Sequence, residues 1–558
     1  MAISKLALFA AGVSAIAISP HAAQRPLSTP AIGAFGGDFT CDLAPVLEPK
    51  GDGVRSAKDL FTSKKALETQ VRRHQAIVRV PSISYDDFGD FDKDARWKPF
   101  DELHKVIRDT YPIVHKKAKL EIVNKYGLLY TVEGTDSSLK PNLMLAHQDV
   151  VPVADESTWT HPPFEAHFDG EWLWGRGSSD DKNSLTGLMS ALEELLAQDS
   201  WKPRRTLIFA FGFDEECSGP RGAGELSKVL HKRYGDDGIA TILDEGGLGM
   251  NRVGNTLFAL PAVMEKGHID IWFQLNVLGG HSSVPFPHTG IGIISEIVTK
   301  LEANPYPALL TKDVPSYAHM VCNARYAPND QSEVAKMVRD DDLEGLAEYL
   351  VDYSPLSHFA IQTSQSVDMI QGGQKINAMP ESISLGVNYR VAAQNSILEV
   401  QKNVVKYIQD VVNKYHLKVT AFEDDKDYQN SLASSDATPK TKEAVDYKGS
   451  LSITAREITQ VSHITPSTGP VWDVLSGTLQ HTFAFKGGNV VTAPECMTGN
   501  TDTRHYTKLT EHIFRFNPNK VNASENIHTI DERIRMDDHM DLVRFYYDYI
   551  RNLDAANL

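Results

Sequence analysis

The sequence predicts an α/β fold carrying an inserted α+β domain, and three observations support that expectation. From Leu120 to Leu243 apolar runs alternate with helical segments, and the runs end in polar residues: His147 and Asp149, Glu215 and Glu216, Asp244 and Glu245. Ligands bind at that carboxyl edge in open α/β sheets. Near Glu265 the pattern changes to strict alternation, the signature of strands with one buried face. After a polar connector at Asp424–Lys448, apolar segments and a closing helix at Leu542–Ile550 return the chain to the first domain.

Taken in order, Met1–Ile18 has Lys5, then the 13-residue apolar run Leu6–Ile18, then small residues up to Ala23. This is signal-peptide patterning, and the run is shorter than the about 20 residues that cross a bilayer as a helix. Residues 1–23 are therefore expected to be a cleaved leader, with an uncleaved anchor as the alternative, placing the protein in the secretory pathway, in a vacuole lumen or outside the cell. Residues 24–262 form the first part of the main domain, with a helix starting near Leu67 and strands at Gly127–Val132, Asn142–Ala146, Thr206–Phe211 and Ile239–Leu243.

Between the second and third of these strands lies Trp174–Ser184, WGRGSSDDKNS, a glycine-bounded turn that carries Asp180 and Asp181 to a helix start. Leu185, Leu188, Met189, Leu192, Leu195 and Leu196 recur at helical spacing, predicting one apolar stripe. The insert is expected over 263–424. Ile269, Ile271, Phe273, Leu275 and Val277 alternate, Ile291–Leu301 is helical, Ile383–Tyr389 alternates again, Ile397–Val412 is helical and His416–Phe422 extended. Residues 425–558 complete the first domain and bring His505 on a late loop.

The 558 residues hold ample material for a large core, and the formal net charge of −17 excludes nucleic acid or an anionic membrane as the main partner. Cys41, Cys217, Cys322 and Cys496 allow three disulfide pairings that the sequence does not rank. Asn522-Ala523-Ser524 is the single glycosylation sequon. No G-x-S-x-G elbow follows a strand, which argues against a serine hydrolase.

The chemistry resides in the carboxylates and imidazoles. His147 and Asp149 lie two apart at a strand end, so the carboxylate is placed to hold the imidazole and fix its tautomer. With Asp180, Glu216, Asp244 and His505 they give two imidazoles and three ligand carboxylates, a set that suits zinc. A bridging carboxylate then accounts for two metals.

Together LAHQDVVPV, WGRGSSDDKNS, FGFDEECSG, ILDEGG, GGHSSVP, GGQKINAMPESISLGVNYR and GNTDTRHY resemble the co-catalytic zinc peptidase/aminoacylase superfamily, nearest to its carboxypeptidase S and fatty-acyl amino acid hydrolase group. The resemblance covers most of the chain. It implies a zinc aminopeptidase-like catalytic domain with a ferredoxin-like lid, and two Zn2+ per chain bridged by Asp180. His147 and Asp244 would complete one zinc site and Glu216 and His505 the other, with Glu245 as the alternative to Asp244. Glu215 would be the general base, Asp149 the support of His147, and His281 the lid histidine that stabilises the oxyanion across a homodimer. Asn377 and Arg390 would grip a substrate carboxylate. Cys217, where the family more often has an aliphatic residue, reads as a small buried side chain. The implied reaction is hydrolysis of the amide bond of a C-terminal amino acid in a short peptide. The alternative substrate is an N-acyl, including fatty-acyl, amino acid, and the alternative of another class is a non-catalytic metal-binding dimerisation module.

Overall fold

A computed structural model describes residues 39–432 and 446–558; the leader expected at 1–23 lies outside the described residues. The main domain is organised on a mixed eight-stranded sheet in the order Lys119–Val123, Gly127–Val132, Leu207–Gly212, Asn142–His147, Thr241–Asp244, Ile513–Arg515, Ala262–Glu265, Glu495–Met497. Asn142–His147 runs parallel to both its neighbours. These central strands are apolar throughout because both faces are covered. Met144 and Ala146 join a core with the helices Lys182–Leu196 and Met536–Ala555, while Leu143 and Leu145 join a second core with the helix Ala223–Tyr234. Successive side chains point to opposite faces, so one run of residues supplies both cores.

The helix Lys182–Leu196 departs from the expected single stripe. Every residue but Glu194 is buried, even Lys182, whose Nζ donates to the Val80 carbonyl at 2.6 Å. The sheet and the helices Lys64–Val78, Pro112–Lys117 and Met536–Ala555 pack around it, so polar positions meet protein rather than water. Burial lowers the Lys182 ammonium to about 7.

The insert is a five-stranded sheet in the order Ser364–Gly372, Ser382–Val391, Gly267–Asn276, Ser450–Thr459, Lys418–Ala421. One face packs on the helices Gly290–Glu302, Ile397–Tyr407 and Gln409–Lys414 through Ile271, Phe273, Leu385, Val387, Ile294 and Val404. Its fourth strand lies beyond the boundary expected at 424, because Leu451 and Ile453 enter the insert's core and pair with Leu275 and Phe273. The sheet therefore reaches Thr459 before the chain leaves it. Between the insert's first helix and its edge strand, four helices at Pro315–Tyr326, Ser332–Arg339, Leu343–Tyr353 and Pro355–Ala360 build a small core around Leu310, Val334, Leu346 and Leu350. Of the possible cysteine pairs the protein forms Cys41–Cys322, leaving Cys217 and Cys496 as thiols. Among the described residues no helix is long and apolar enough to cross a membrane.

Candidate active site

The site forms at the carboxyl end of the central strands. Asp180 lies on the turn before Lys182–Leu196, and the Asp180–Asp181 peptide is cis. Glu532, buried and far along the chain, organises this turn. One of its oxygens accepts from Arg176 Nη1 at 2.6 Å and Gly177 N at 3.0 Å; the other accepts from Ser179 N at 3.0 Å and Asp180 N at 3.2 Å. Asp181 occupies the helix N-cap position without capping it; its Oδ2 accepts the His147 backbone N–H at 3.3 Å.

Held in this way, Asp180 offers its two oxygens to two histidines. His147 Nε2 lies 3.0 Å from Oδ1 and His528 Nε2 lies 3.2 Å from Oδ2. Each histidine has a second carboxylate: Glu245 Oε1 at 3.3 Å from His147, and Glu216 Oε1 at 3.1 Å from His528. Two His–carboxylate pairs thus flank one shared carboxylate. Behind His147, Asp149 places Oδ1 3.3 Å from Nδ1, and its carboxylate accepts the backbone N–H groups of Glu215 and Glu216, both at 3.1 Å. Asp149 therefore orients the imidazole and the Glu215-Glu216 turn together.

Two of the expected ligands are placed differently. Asp244 ends its strand with Oδ1 accepting from Glu245 N at 2.9 Å, and it is Glu245 that reaches His147. His505 ends a short helical turn, Asp502–His505, where its Nε2–H donates to the Ser218 carbonyl at 2.8 Å. That bond engages His505 Nε2, and it is His528 that stands beside Glu216. His528 is not among the sequence candidates; the signal for it in the sequence is NIHTIDE, where Glu532 follows four residues later.

The remaining candidates lie on the insert's side. Glu215 is buried outside both pairs, with Arg504 Nη2 3.5 Å from its Oε1, so Arg504 joins the site. Arg390 donates to Asn500 Oδ1 at 3.0 Å and shares the electrostatic environment of Arg504 and Glu215. His281 and Asn377 are exposed near the small ribbon of Gly280–His281 and Ala378–Met379; Ser282 N donates to the Asn377 carbonyl, and His281 Nδ1 accepts from Ser283.

The protonation pattern follows from burial and from the carboxylates that crowd the two histidines. Burial opposes a charge on His147, yet Glu245, Asp149 and Asp180 outweigh it and raise its pKa; hydrogen bonds to Asp180 and Glu216 lift His528 to about 10. Burial raises Glu216 to about 7 and Asp244 to about 6, and pushes Glu215 and Glu245 well up. Asp181 Oδ1 and Asp244 Oδ2 are buried without hydrogen-bond partners. Such a concentration of buried carboxylates is costly unless cations neutralise it, and a His, Asp and Glu donor set suits zinc-type dications. The residues fit a pair of metal ions.

A layered α/β domain with an inserted α+β domain, and an aspartate shared between two His–carboxylate pairs, are the features of a metal-dependent hydrolase. Residues 143–552 match the description of Peptidase family M20/M25/M40. The chain belongs to that family and is a metal-dependent peptidase or amidohydrolase. An uncharacterised carboxypeptidase of Schizosaccharomyces pombe is 38% identical over 92% of this chain and 84% of its own length. Carboxypeptidase S of Saccharomyces cerevisiae is 36% identical over 96% of this chain and 92% of its own length. Human carnosine dipeptidase 1 shares the fold, with a TM-score of 0.60 at 13% identity, covering 91% of this chain and all (100%) of that one.

Proposed function

We propose that the protein is a dizinc metallocarboxypeptidase of the carboxypeptidase S type, which hydrolyses the amide bond of a C-terminal amino acid in short peptides. The observation that carries this reading is Asp180 shared between His147–Glu245 and His528–Glu216, with Glu215 buried beside them and free of either pair. In this reading those five residues hold the two ions. Bound there, zinc supplies Lewis acidity that acidifies water and polarises the scissile carbonyl. Glu215 takes the proton from the attacking water and returns it to the leaving nitrogen, acting first as base and then as acid. Arg390 and Asn377 bind the substrate's terminal carboxylate, a guanidinium being suited to bidentate pairing. His281 donates to the oxygen that becomes negative. The test is a screen of N-blocked dipeptides as free acids and as amides. Free acids should be strongly preferred, and equal rates on both would remove the carboxypeptidase reading.

A second substrate class, N-acyl amino acids, is favoured by a cavity of about 710 Å³ that reaches from Asp180 and Glu245 past Leu248, Leu260, Met320, Leu350 and Leu356. An acyl chain would bury apolar surface along that wall. Faster turnover of long-chain N-acyl amino acids than of blocked dipeptides would shift the assignment to them.

The insert is proposed to make a homodimer in which His281 serves the partner's site. Its edge strand Ser364–Gly372 exposes Met369 and Ile370, and an unpaired strand edge is a ready template for a second copy. A secretory, vacuolar or extracellular location is supported by the Cys41–Cys322 disulfide, which requires an oxidising compartment.

A further inference from the structure

We propose that His161, Glu165 and His167 form a third divalent-metal site, separate from the Asp180 centre, which takes one transition-metal dication such as Zn2+ or Ni2+. The three lie in HPPFEAH, where Glu165 N donates to the Pro162 carbonyl at 2.9 Å and His167 begins a short strand paired with Trp174. One ligand atom from each of the three lies within 4.8 Å of the others. The two imidazoles are stacked, with ring centroids 3.8 Å apart and planes 13° apart, and His161 meets the edge of Trp174 at 5.2 Å.

Among the described residues neither imidazole has a hydrogen-bond partner, and the Glu165 carboxylate has none either. Two facing imidazoles with unpaired ring nitrogens beside a carboxylate form the ligand set of a three-residue site for a borderline dication, with water completing the coordination. Among the described residues, the other His–carboxylate group outside the Asp180 centre, His268 with Asp270 and Glu457, lacks this property. There His268 Nε2 is 3.0 Å from Asp270, Asn388 bonds both, and Glu457 accepts from Ser218.

The third site adjoins the loop that brings in His528. Thr160 donates to Asp531 through its backbone N–H and its Oγ1, both at 2.7 Å, so an ion on the 161–167 turn sits on a segment pinned to that loop. Binding there stabilises the folded chain by mass action.

The experiment is equilibrium dialysis of the holoenzyme against free Zn2+, with metal per chain counted by elemental mass spectrometry and melting followed in parallel. The wild type should hold one more zinc per chain than His161→Ala/His167→Ala, and its melting temperature should rise with added Zn2+ where the variant's does not. Only the difference in count is read, so the result does not depend on how many ions the Asp180 centre holds. Glu165→Gln, at an exposed position, should weaken uptake of the extra ion about tenfold without disturbing packing. Equal counts in the wild type and the double variant overturn the proposal. If that variant does not fold, unchanged affinity in Glu165→Gln overturns it.

Discussion

Asp180 faces a different histidine with each oxygen, while of the adjacent pair Glu216 meets His528 and Glu215 meets Arg504, so the proposed function gives them different tasks. Glu215→Gln should keep its metal and lose about 10²–10⁴-fold in turnover, because it removes a proton acceptor and no ligand; metal analysis beside steady-state rates checks this. His528→Ala should lose metal where His505→Ala does not, since the His505 Nε2–H is spent on the Ser218 carbonyl. The reverse result would restore His505 as the ligand. At this scale the sequence was legible wherever a motif was local: His147, Asp149, Asp180 and Glu216 are brought together as their strand ends and turns suggested. Glu245 and His528 were harder to read, because choosing between neighbouring carboxylates, or between two loop histidines, depends on which side chain the tertiary fold turns inward.

Among the elements, the turn before Lys182–Leu196 depends on Glu532, which pairs with Arg176 and accepts three backbone N–H groups. Removing one partner of a buried ion pair leaves the other charge uncompensated, so Glu532→Ala should cost about 3–5 kcal/mol, read by urea unfolding. It should also lower metal affinity, because Asp180 is displaced with its turn. Central strands such as Gly127–Val132 were plain in the sequence, as were the insert's alternating strands, because burial on two faces and on one face leaves different periods. The helix Lys182–Leu196 was read correctly in position but wrongly in exposure, since its neighbours arrive from residues 64–78, 112–117 and 536–555. Ser450–Thr459 was missed as an insert strand because a polar connector reads the same whether the chain leaves a sheet or loops back into it.

For the whole molecule, the proposed metal ions would compete with protons for the same groups. Glu216, raised from the ordinary 4.5 to about 7, keeps a proton in the metal-free fold that the unfolded chain has already lost between those values. Metal-free stability contributed by this group therefore falls as pH rises through that window, whereas the metal-bound form carries no such proton. The gap in melting temperature between metal-loaded and chelated protein should widen from pH 5 to pH 7.5, measurable by calorimetry, and a constant gap would contradict the linkage. Assembly is tested by mixing inactive His281→Ala with inactive Glu215→Gln under subunit exchange. Donation to the partner's site leaves one intact site in each mixed dimer, so activity returns to about half per dimer, whereas donation within a chain leaves the mixture dead.

The Asp180 turn is braced by a residue more than three hundred positions later, and this bears on how the enzyme is made. A growing chain exposes His147, Asp180 and Glu216 long before Glu532 and His528 exist, so the nascent protein has an unbraced turn and half of its histidine pair. In the proposed reading both halves of the site therefore stay incomplete until translation has passed residue 532, which supplies the brace of the Asp180 turn and follows His528 by four positions.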